Sequence, residues 1–195
     1  MPKISSSSPV FTTPWFRLAA RTLAGEGDSS PYYVLEGPDY VSALAVTADG
    51  KAVMVRQYRP AVADWVLELP SGTVDGNEDP ATAIAREIRE ETGYRAVRLD
   101  CLGVLNPDVG RLGNRQHCYF ALVEPDPEPL SPGQGEIGLE VRMMDLAEML
   151  NGVGQEEGCL HSLNIAVLFL ALQQGKVALP ASQAGRQKIP RESNR

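Results

Sequence analysis

Short runs of apolar and β-branched residues, separated by turn-forming residues, dominate the first 70 positions of the chain. Their lengths and partial alternation predict strands at residues 15–23, 32–36, 40–47, 51–58 and 65–69. Ala48-Asp49-Gly50 separates the two clearest runs and predicts a hairpin turn. The first third of the chain is therefore expected to build a sheet.

After residue 79 the apolar positions follow a helical period. One stripe consists of Ala81, Ile84, Ala85 and Ile88. Asp79 followed by Pro80 is typical of a helix start, and Gly93 is typical of a helix end. The sequence therefore predicts a helix of about three turns between Asp79 and Gly93.

The second half of the chain returns to strands and then to helical patterns. Strands are predicted at residues 95–105, 116–123 and 139–144. Asp145 is expected to cap a short helix that ends at Leu150, and an apolar helix is expected from Ser162 or Asn164 to Gln173. This order of elements indicates a mixed α/β layer arrangement.

A chain of 195 residues suits one domain with short extensions. Residues 1–13 are rich in serine and contain two prolines, so we expect a flexible arm there. Residues 14–179 are expected to form a single domain, and residues 180–195 a disordered tail.

Charge and composition narrow the range of functions. The formal net charge of −7 argues against nucleic-acid binding as the main task. The three cysteines have neither zinc-site spacing nor a disulfide pattern, which favours a reducing compartment. The longest apolar run, residues 165–172, is too short to cross a bilayer, and no secretory signal is recognisable. We therefore expect a cytoplasmic protein without a membrane partner.

The predicted helix concentrates negative charge on one side. Glu87, Glu90 and Glu91 stand at positions i, i+3 and i+4, so their carboxylates share a face and repel one another. A divalent cation such as Mg²⁺ is the simplest counter-charge, because hard cations prefer carboxylate oxygens. The alternative is a solvated acidic face, which must also explain two glycines, Glu78 and Arg86.

Residues 72–94 resemble the signature of the Nudix hydrolases: Gly, five residues, Glu, seven residues, then Arg-Glu-apolar-x-Glu-Glu-x-Gly. The matching positions are Gly72, Glu78, Arg86, Glu87, Ile88, Glu90, Glu91 and Gly93. Residues 72–94 are called the box below. Tyr94 stands where the family more often has an aliphatic residue. The resemblance implies a Nudix-like fold, an α/β/α sandwich around a mixed β-sheet.

The flanking segments look like the ADP-ribose pyrophosphatase branch of this family, and the similarity extends over residues 40–172. The segments that carry it are residues 55–60, residues 67–72, Pro107 and the predicted helix at residues 161–172.

The resemblance implies a metal site. Glu87 and Glu91 would be the main ligands of Mg²⁺, with Mn²⁺ as a second candidate. Glu90 would bind a second ion or orient a water molecule, and the backbone carbonyl of Ser71 would complete the site.

The resemblance also implies supporting and substrate-binding residues. Arg86, Glu78 and Gly72 would hold the acidic side chains in place, and Arg86 also belongs to the catalytic group. For Arg59 the resemblance implies binding of the substrate's phosphates, and Arg56 in the same segment is a further candidate. Arg111 and Arg115 lie in the loop at residues 106–115; they would suit additional phosphate, or they are plain surface charges.

The branch takes its catalytic base from a glutamate in the loop before the last strand, and Glu136 is the candidate here. Glu128 is a second candidate, whereas Glu140 is expected to lie within the strand. The alternative is that all three are solubilising loop charges.

One loop departs from the branch. Residues 106–115 are longer than expected, and Asn114 stands about where the branch has an acid. The family uses this loop to contact substrate, so the sugar and base remain open.

The resemblance predicts Mg²⁺-dependent hydrolysis of the pyrophosphate bond of a nucleoside diphosphate-sugar, with ADP-ribose giving AMP and ribose 5-phosphate as the first candidate. Another nucleoside diphosphate-sugar, a dinucleotide and a non-catalytic nucleotide-binding module are the alternatives. A homodimer is also implied, with the strands of residues 14–36 reaching across to the partner.

Overall fold

The computed structural model describes residues 1–25, 30–130, 138–152 and 162–178. Its strands are β1 (Ile4–Thr12), β2 (Arg17–Leu23), β3 (Tyr32–Glu36), β4 (Tyr40–Thr47), β5 (Lys51–Arg59), β6 (Asp64–Glu68), β7 (Ser71–Thr73), β8 (Tyr94–Leu105), β9 (Gln116–Pro125) and β10 (Glu140–Asp145). Its helices are α1 (Pro80–Thr92), α2 (Leu146–Gly152) and α3 (Ser162–Gln173).

The main sheet has the order β10-β5-β4-β9-β8, with β6 joined to β5 and β7 joined to β4. Strands β4 and β9 run parallel, whereas their other partners are antiparallel, so the sheet is mixed. On one face Ile84 and Ile88 of α1 pack into an apolar core with Val41 and Val53. Helices α2 and α3 cover a second core on the other face. The predicted α/β/α sandwich is confirmed.

The two central strands diverge, and this divergence positions the segment that precedes α1. Strands β4 and β5 pair only at Ala45–Val53 and Val46–Ala52. Beyond that point β6 adds to β5 and β7 adds to β4, and the Pro70 carbonyl accepts a hydrogen bond of 3.0 Å from the Ala43 amide. The residues between β6 and β7 therefore lie inside the sheet rather than at its rim.

The N-terminal region differs from the prediction. Residues 1–13 were expected to form a flexible arm, but Ile4–Thr12 forms β1, which pairs with β2 in a three-stranded sheet. Its nine residues are all exposed, so backbone hydrogen bonds rather than a buried face hold β1 in place. A strand that is exposed on both faces has no alternation of polar and apolar residues. The sequence therefore does not reveal that β1 pairs with β2.

The remaining elements agree with the prediction to within a few residues at each end. The hairpin turn is present, with Gly50 at φ 82° and its amide donating to the Thr47 carbonyl. The three-residue strand β7 was missed because it is shorter than a recognisable alternation. The predicted tail, residues 180–195, lies outside the described residues.

Candidate active site

Helix α1 begins and ends where the sequence predicts. The Asp79 side chain accepts hydrogen bonds from the amides of Ala81 and Thr82, at 3.0 and 3.4 Å. Gly93 adopts the left-handed conformation at φ 70°, and its amide donates to the Arg89 carbonyl. These caps satisfy backbone groups that a helix end leaves without partners, and they fix the register of the side chains between them.

The acidic side chains of α1 face the protein rather than bulk water. Glu87 is 9% exposed and Glu91 is 4% exposed, on the same helix whose Ile84 and Ile88 enter the core. The alternative of a solvated charged face is therefore wrong for these two carboxylates. Glu90 is partly exposed at the edge of the group.

Two backbone features of β7 receive these carboxylates. The Ser71 amide donates a hydrogen bond of 2.9 Å to Glu91 Oε2. A Cβ atom built on Gly72 would overlap the Glu87 carboxyl group. The glycine that opens the box is therefore required by the close approach of Glu87, and β7 and α1 fit together at this point.

Arg86 connects the box glutamates. Its Nη1 donates to Glu87 at 2.8 Å and to Glu90 at 3.1 Å, and its Nη2 donates to Glu78 at 3.1 Å and to the Thr73 carbonyl at 3.2 Å. Hydrogen bonding to Glu78 is the main cause that raises the pKa of Arg86, and the same bonds lower the pKa of Glu78. Arg86 thus links Glu78, Glu87 and Glu90 through hydrogen bonds, and the supporting role of Arg86 and Glu78 at a metal site stays a prediction.

Arg89 points to a different part of the molecule. Its Nε donates to Asp126 at 2.5 Å, and its Nη2 contacts the Glu128 carbonyl at 3.3 Å. Arg89 therefore pairs with Asp126, whereas Arg86 contacts Glu78, Glu87 and Glu90. Glu128, the second candidate for the base, lies beside Arg89.

The donor set fits a hard cation. Four box glutamates, Glu78, Glu87, Glu90 and Glu91, accompany one arginine, and the Gly72 surface seats one of the carboxylates. Within the part of the chain that the structure describes, no three His, Cys, Asp or Glu side chains are preassembled around a metal position. Mg²⁺ does not require a complete protein cage, because it retains several waters.

Arg59 lies on the side of the sheet that faces α1. Its Nε and Nη2 donate to Glu68 Oε2 at 3.0 and 2.6 Å, and Gln57 Nε2 donates to the same oxygen at 3.2 Å. Gln57 and Glu68 are each 2% exposed, whereas the Arg59 side chain is 43% exposed. The predicted phosphate-binding arginine is thus anchored at one edge and accessible at the other.

Arg56 lies on the opposite side of β5, because side chains three positions apart on a strand point to different faces. Its guanidinium stacks 4.5 Å from the centroid of the Trp65 ring, and Nη1 lies 3.7 Å from Glu140. Glu140 is in β10, as predicted. The structure does not bring Arg56 together with Arg59.

The loop at residues 106–115 contacts the N-terminal sheet. The Leu35 amide donates to the Arg111 carbonyl at 2.8 Å, and the Gly113 amide donates to the Leu35 carbonyl at 2.9 Å. The Arg111 side chain is exposed beside Asp108. Asn114 is 5% exposed and donates to the Pro38 carbonyl, so it fixes the loop.

Arg115 meets the main sheet through its backbone. Its amide donates to Asp39 Oδ1 at 2.8 Å, and its carbonyl accepts from the Tyr40 amide at 2.7 Å. His117 Nε2 lies 3.0 Å from Asp39 Oδ2. Burial alone would raise the pKa of Asp39, but the hydrogen bonds with His117 and Arg115 outweigh it and lower that pKa.

Two further predictions remain as they were. Glu136 lies outside the described residues, so its role as the base stays a prediction. The structure also does not test binding of phosphate by Arg111 or Arg115.

A mixed sheet lies between helices, and its glutamate-bearing helix docks on Gly72 of β7, next to the central strand β4; this arrangement defines a Nudix-type sandwich. The model of the NUDIX domain family matches residues 38–162, and the chain belongs to this family of hydrolases. Its relatives confirm the predicted resemblance to the ADP-ribose pyrophosphatase branch.

Three relatives illustrate the range of proteins that the chain resembles. The methanol dehydrogenase activator of Bacillus methanolicus is 30% identical over 76% of this chain and 80% of that protein. The ADP-ribose pyrophosphatase of Bacillus subtilis is 33% identical over 49% of this chain and 51% of that protein. The ADP-sugar pyrophosphatase of Mus musculus is 30% identical over 62% and 59% of the two chains. The chain therefore matches only part of the length of the two pyrophosphatases.

A solved structure shares the fold. The crystal structure of an ADP compounds hydrolase superposes with a TM-score of 0.74 at 22% identity, covering 90% of this chain and 97% of that one. No helix among the described residues is long and apolar enough to cross a membrane.

Glu68 and Asp39 were not among the residues predicted from the sequence. Glu68 follows Leu67 at the end of a strand, and an alternating pattern assigns such a polar residue to solvent. The signal available in the sequence was that Glu68, an acid shortly before the box, interrupts an apolar run. Asp39 gave no signal, because its partners Arg115 and His117 are more than 70 residues away.

Proposed function

We propose that this Nudix hydrolase cleaves the pyrophosphate bond of a nucleoside diphosphate-sugar with Mg²⁺ as its cofactor, and that ADP-ribose is its preferred substrate. The products would be AMP and ribose 5-phosphate. Support comes from two relatives whose names specify ADP-ribose and ADP-sugar pyrophosphatases.

One observation carries the proposal. The Glu87 and Glu91 carboxylates are buried on one face of α1, where Gly72 leaves room for Glu87 and the Ser71 amide donates to Glu91. Carboxylate oxygens grouped in this way are the ligands that Mg²⁺ prefers. Glu87, Glu91, Glu90 and the Ser71 carbonyl would hold Mg²⁺, or Mn²⁺ in its place. When bound, the cation supplies charge neutralisation for the phosphate oxygens.

The residues of the chain would perform the other tasks. Arg59 binds the phosphates, and Arg86 orients Glu87 and Glu90 by donating to both from one nitrogen. Water attacks one phosphorus, the bond from that phosphorus to the bridging oxygen breaks, and the other phosphate leaves. Glu136 accepts the proton of the water in this proposal.

The test combines a substrate panel with one variant. Mg²⁺-dependent product release is measured for ADP-ribose, GDP-mannose, NADH and diadenosine polyphosphates. We expect ADP-ribose to give the highest kcat/KM. Preference for another compound would redefine the substrate, and no turnover combined with ligand-induced stabilisation would favour a binding module.

The variant Glu91→Gln should reduce kcat/KM by about 100-fold or more, because the cation contributes several kcal/mol of charge stabilisation. The fold should survive, since the side-chain oxygen of Gln can still accept the hydrogen bond from the Ser71 amide. Glu124→Gln is the matched control, because Glu124 pairs with Arg95 on the partly exposed end of β9. Turnover of Glu91→Gln near the parent rate would contradict the metal assignment.

A further inference from the structure

Glu68 is a buried acid outside the box that lies on the same side of the sheet as α1. It is the last residue of β6 and pairs in register with Val55 of β5. Side chains alternate along β5, so Val53, Val55, Gln57 and Arg59 share one face. Val53 packs with Ile84 and Ile88 of α1. Glu68 therefore faces the side on which the glutamates of the box are located.

A carboxylate in this place is unfavourable unless it has a specific partner. It is almost fully buried, and it adds negative charge to a side of the sheet that already carries the acids of the box. Arg59 and Gln57 both donate to its Oε2 atom. The burial of Glu68 is thus compensated by Arg59, an arginine that would not need this partner if it lay in solvent.

The contact fixes one edge of the Arg59 guanidinium. Nε and Nη2 both bind Glu68, and within the described residues Arg59 donates to no other group. A planar guanidinium held at two nitrogens cannot rotate freely about its last bonds. Its Nη1 edge therefore has a defined direction, on a side chain that is 43% exposed.

We propose that Glu68 is a positioning residue, which holds the Arg59 guanidinium so that its remaining N–H groups face the pyrophosphate of the substrate. Gln57 supports this role by holding the Glu68 carboxylate from the neighbouring position of β5. This inference rests on the proposed function, since it assigns the geometry of the phosphate-binding arginine at the same site.

The experiment is a double-mutant cycle of Arg59→Ala and Glu68→Gln. KM and kcat for ADP-ribose are measured, together with calorimetric binding of magnesium pyrophosphate. Glu68→Gln should raise KM and weaken pyrophosphate binding by about tenfold with little change in kcat, because a charge-assisted contact is replaced by a weaker one. The double variant should be no worse than Arg59→Ala alone.

Asp64→Asn is the matched control. Asp64 is an exposed carboxylate opposite Arg59 in the strand register, but its Oδ1 accepts from the Trp65 amide. Asp64→Asn removes one negative charge close to Arg59 without loosening the contact between Arg59 and Glu68. The affinity for magnesium pyrophosphate should therefore stay within about twofold of the parent. An equal loss in Asp64→Asn would assign the effect to general electrostatics and overturn the positioning role.

Arg59→Lys keeps the proposal testable if Glu68→Gln does not fold. Lysine retains the charge but cannot make a planar two-point contact with Glu68, so Arg59→Lys should bind pyrophosphate more weakly than the parent. Parent-like binding by Arg59→Lys, or additive losses in the cycle, would overturn the inference. A purely structural Glu68 would lower the melting temperature and leave pyrophosphate affinity unchanged.

The two proposals fail in different ways. A parent protein that binds magnesium pyrophosphate through Arg59 but hydrolyses no compound of the panel contradicts the proposed function and leaves the positioning role intact. A parent protein that hydrolyses ADP-ribose with no dependence on Arg59 contradicts the positioning role alone.

Discussion

At the scale of single residues, the arrangement of the glutamates of α1 depends on the group that each carboxylate contacts. Glu87 needs a residue without a side chain, and Gly72 provides it. Glu91 needs a donor, and the Ser71 amide provides it. Both contacts come from one short strand, so the box begins at a glycine because of packing between β7 and α1.

Gly72→Ala tests this close approach. Gly72 is not among the glycines with positive φ, so the added methyl group acts through its overlap with Glu87 and not through backbone strain. Displacement of Glu87 by about 1 Å should lower kcat/KM by about 100-fold. Gly152→Ala is the control, because a Cβ at Gly152 meets no atom within 4 Å. Equal kinetics for the two variants would contradict the packing argument.

The ion pair between Glu78 and Arg86 predicts a dependence of stability on pH. Hydrogen bonds from Arg86 lower the pKa of Glu78 below its ordinary value of 4.5 in the folded protein. Its contribution is therefore present above pH 4.5 and is lost as the pH falls through the lower folded pKa.

Urea unfolding of the parent and of Glu78→Gln should show this directly. We expect the parent to be more stable at neutral pH and the difference to shrink as the pH falls below 4.5 and through the lowered pKa of Glu78. A difference that stays constant over this range would show that the charge of Glu78 is not its cause.

At the scale of elements, the ends of α1 determine where its glutamates lie. The helix is fixed by the Asp79 side chain at one end and Gly93 at the other, and its last two turns carry core and site residues together. A frayed first turn would affect stability more than chemistry, because Glu87, Glu90 and Glu91 lie in the last two turns.

Asp79→Ala should cost about 1 kcal/mol of stability, which corresponds to a fall of about 3 °C in Tm for a domain of this size. Asp145→Ala is a matched control, because Asp145 accepts a hydrogen bond of 3.0 Å from Ala147 at the start of α2. Both variants should lose stability, and Mg²⁺-dependent kcat should change by less than about threefold in either, since neither helix start carries a proposed ligand. Loss of kcat in Asp79→Ala alone would show that the first turn positions the carboxylates.

At the scale of the whole molecule, the N-terminal sheet has little of its own surface buried. Exposed apolar side chains lie on it and beside it: Ile4, Val10, Phe11, Trp15, Tyr32 and Tyr33. Its backbone connection to the loop at residues 106–115 ties it to the body of the protein. Exposed apolar groups of this kind are typical of an interaction surface.

The predicted homodimer can be tested through this surface. We expect the parent to sediment as a dimer and the double variant Phe11→Ser, Trp15→Ser to shift towards monomer, because apolar area would be lost from the interface. Phe169→Ser is the control, since Phe169 is an equally exposed aromatic residue on α3. A parent that sediments as a monomer at all concentrations would exclude the dimer.

Local signals were sufficient for the main elements and for the box. The caps of α1 are adjacent in sequence to the helix that they end, and the acidic spacing is a property of the helix itself. Local signals did not predict β1, because it has no buried face. They also did not predict the contact of Glu68 with Arg59, because strand pairing brings these two residues together. Arg56 and Arg59 looked equivalent in sequence, and only the pleat of β5 separates them.

The sequence by itself determined the helix, its acidic face and the family, because each depends on residues a few positions apart. The tertiary structure decided which carboxylates are buried, why Gly72 must be glycine, and which arginine lies on the α1 side of the sheet. Those outcomes depend on the divergence of β4 and β5, which inserts β6 and β7 between them. Contacts that join residues distant in the chain are set by how sheets and helices pack, and a linear pattern does not contain that information.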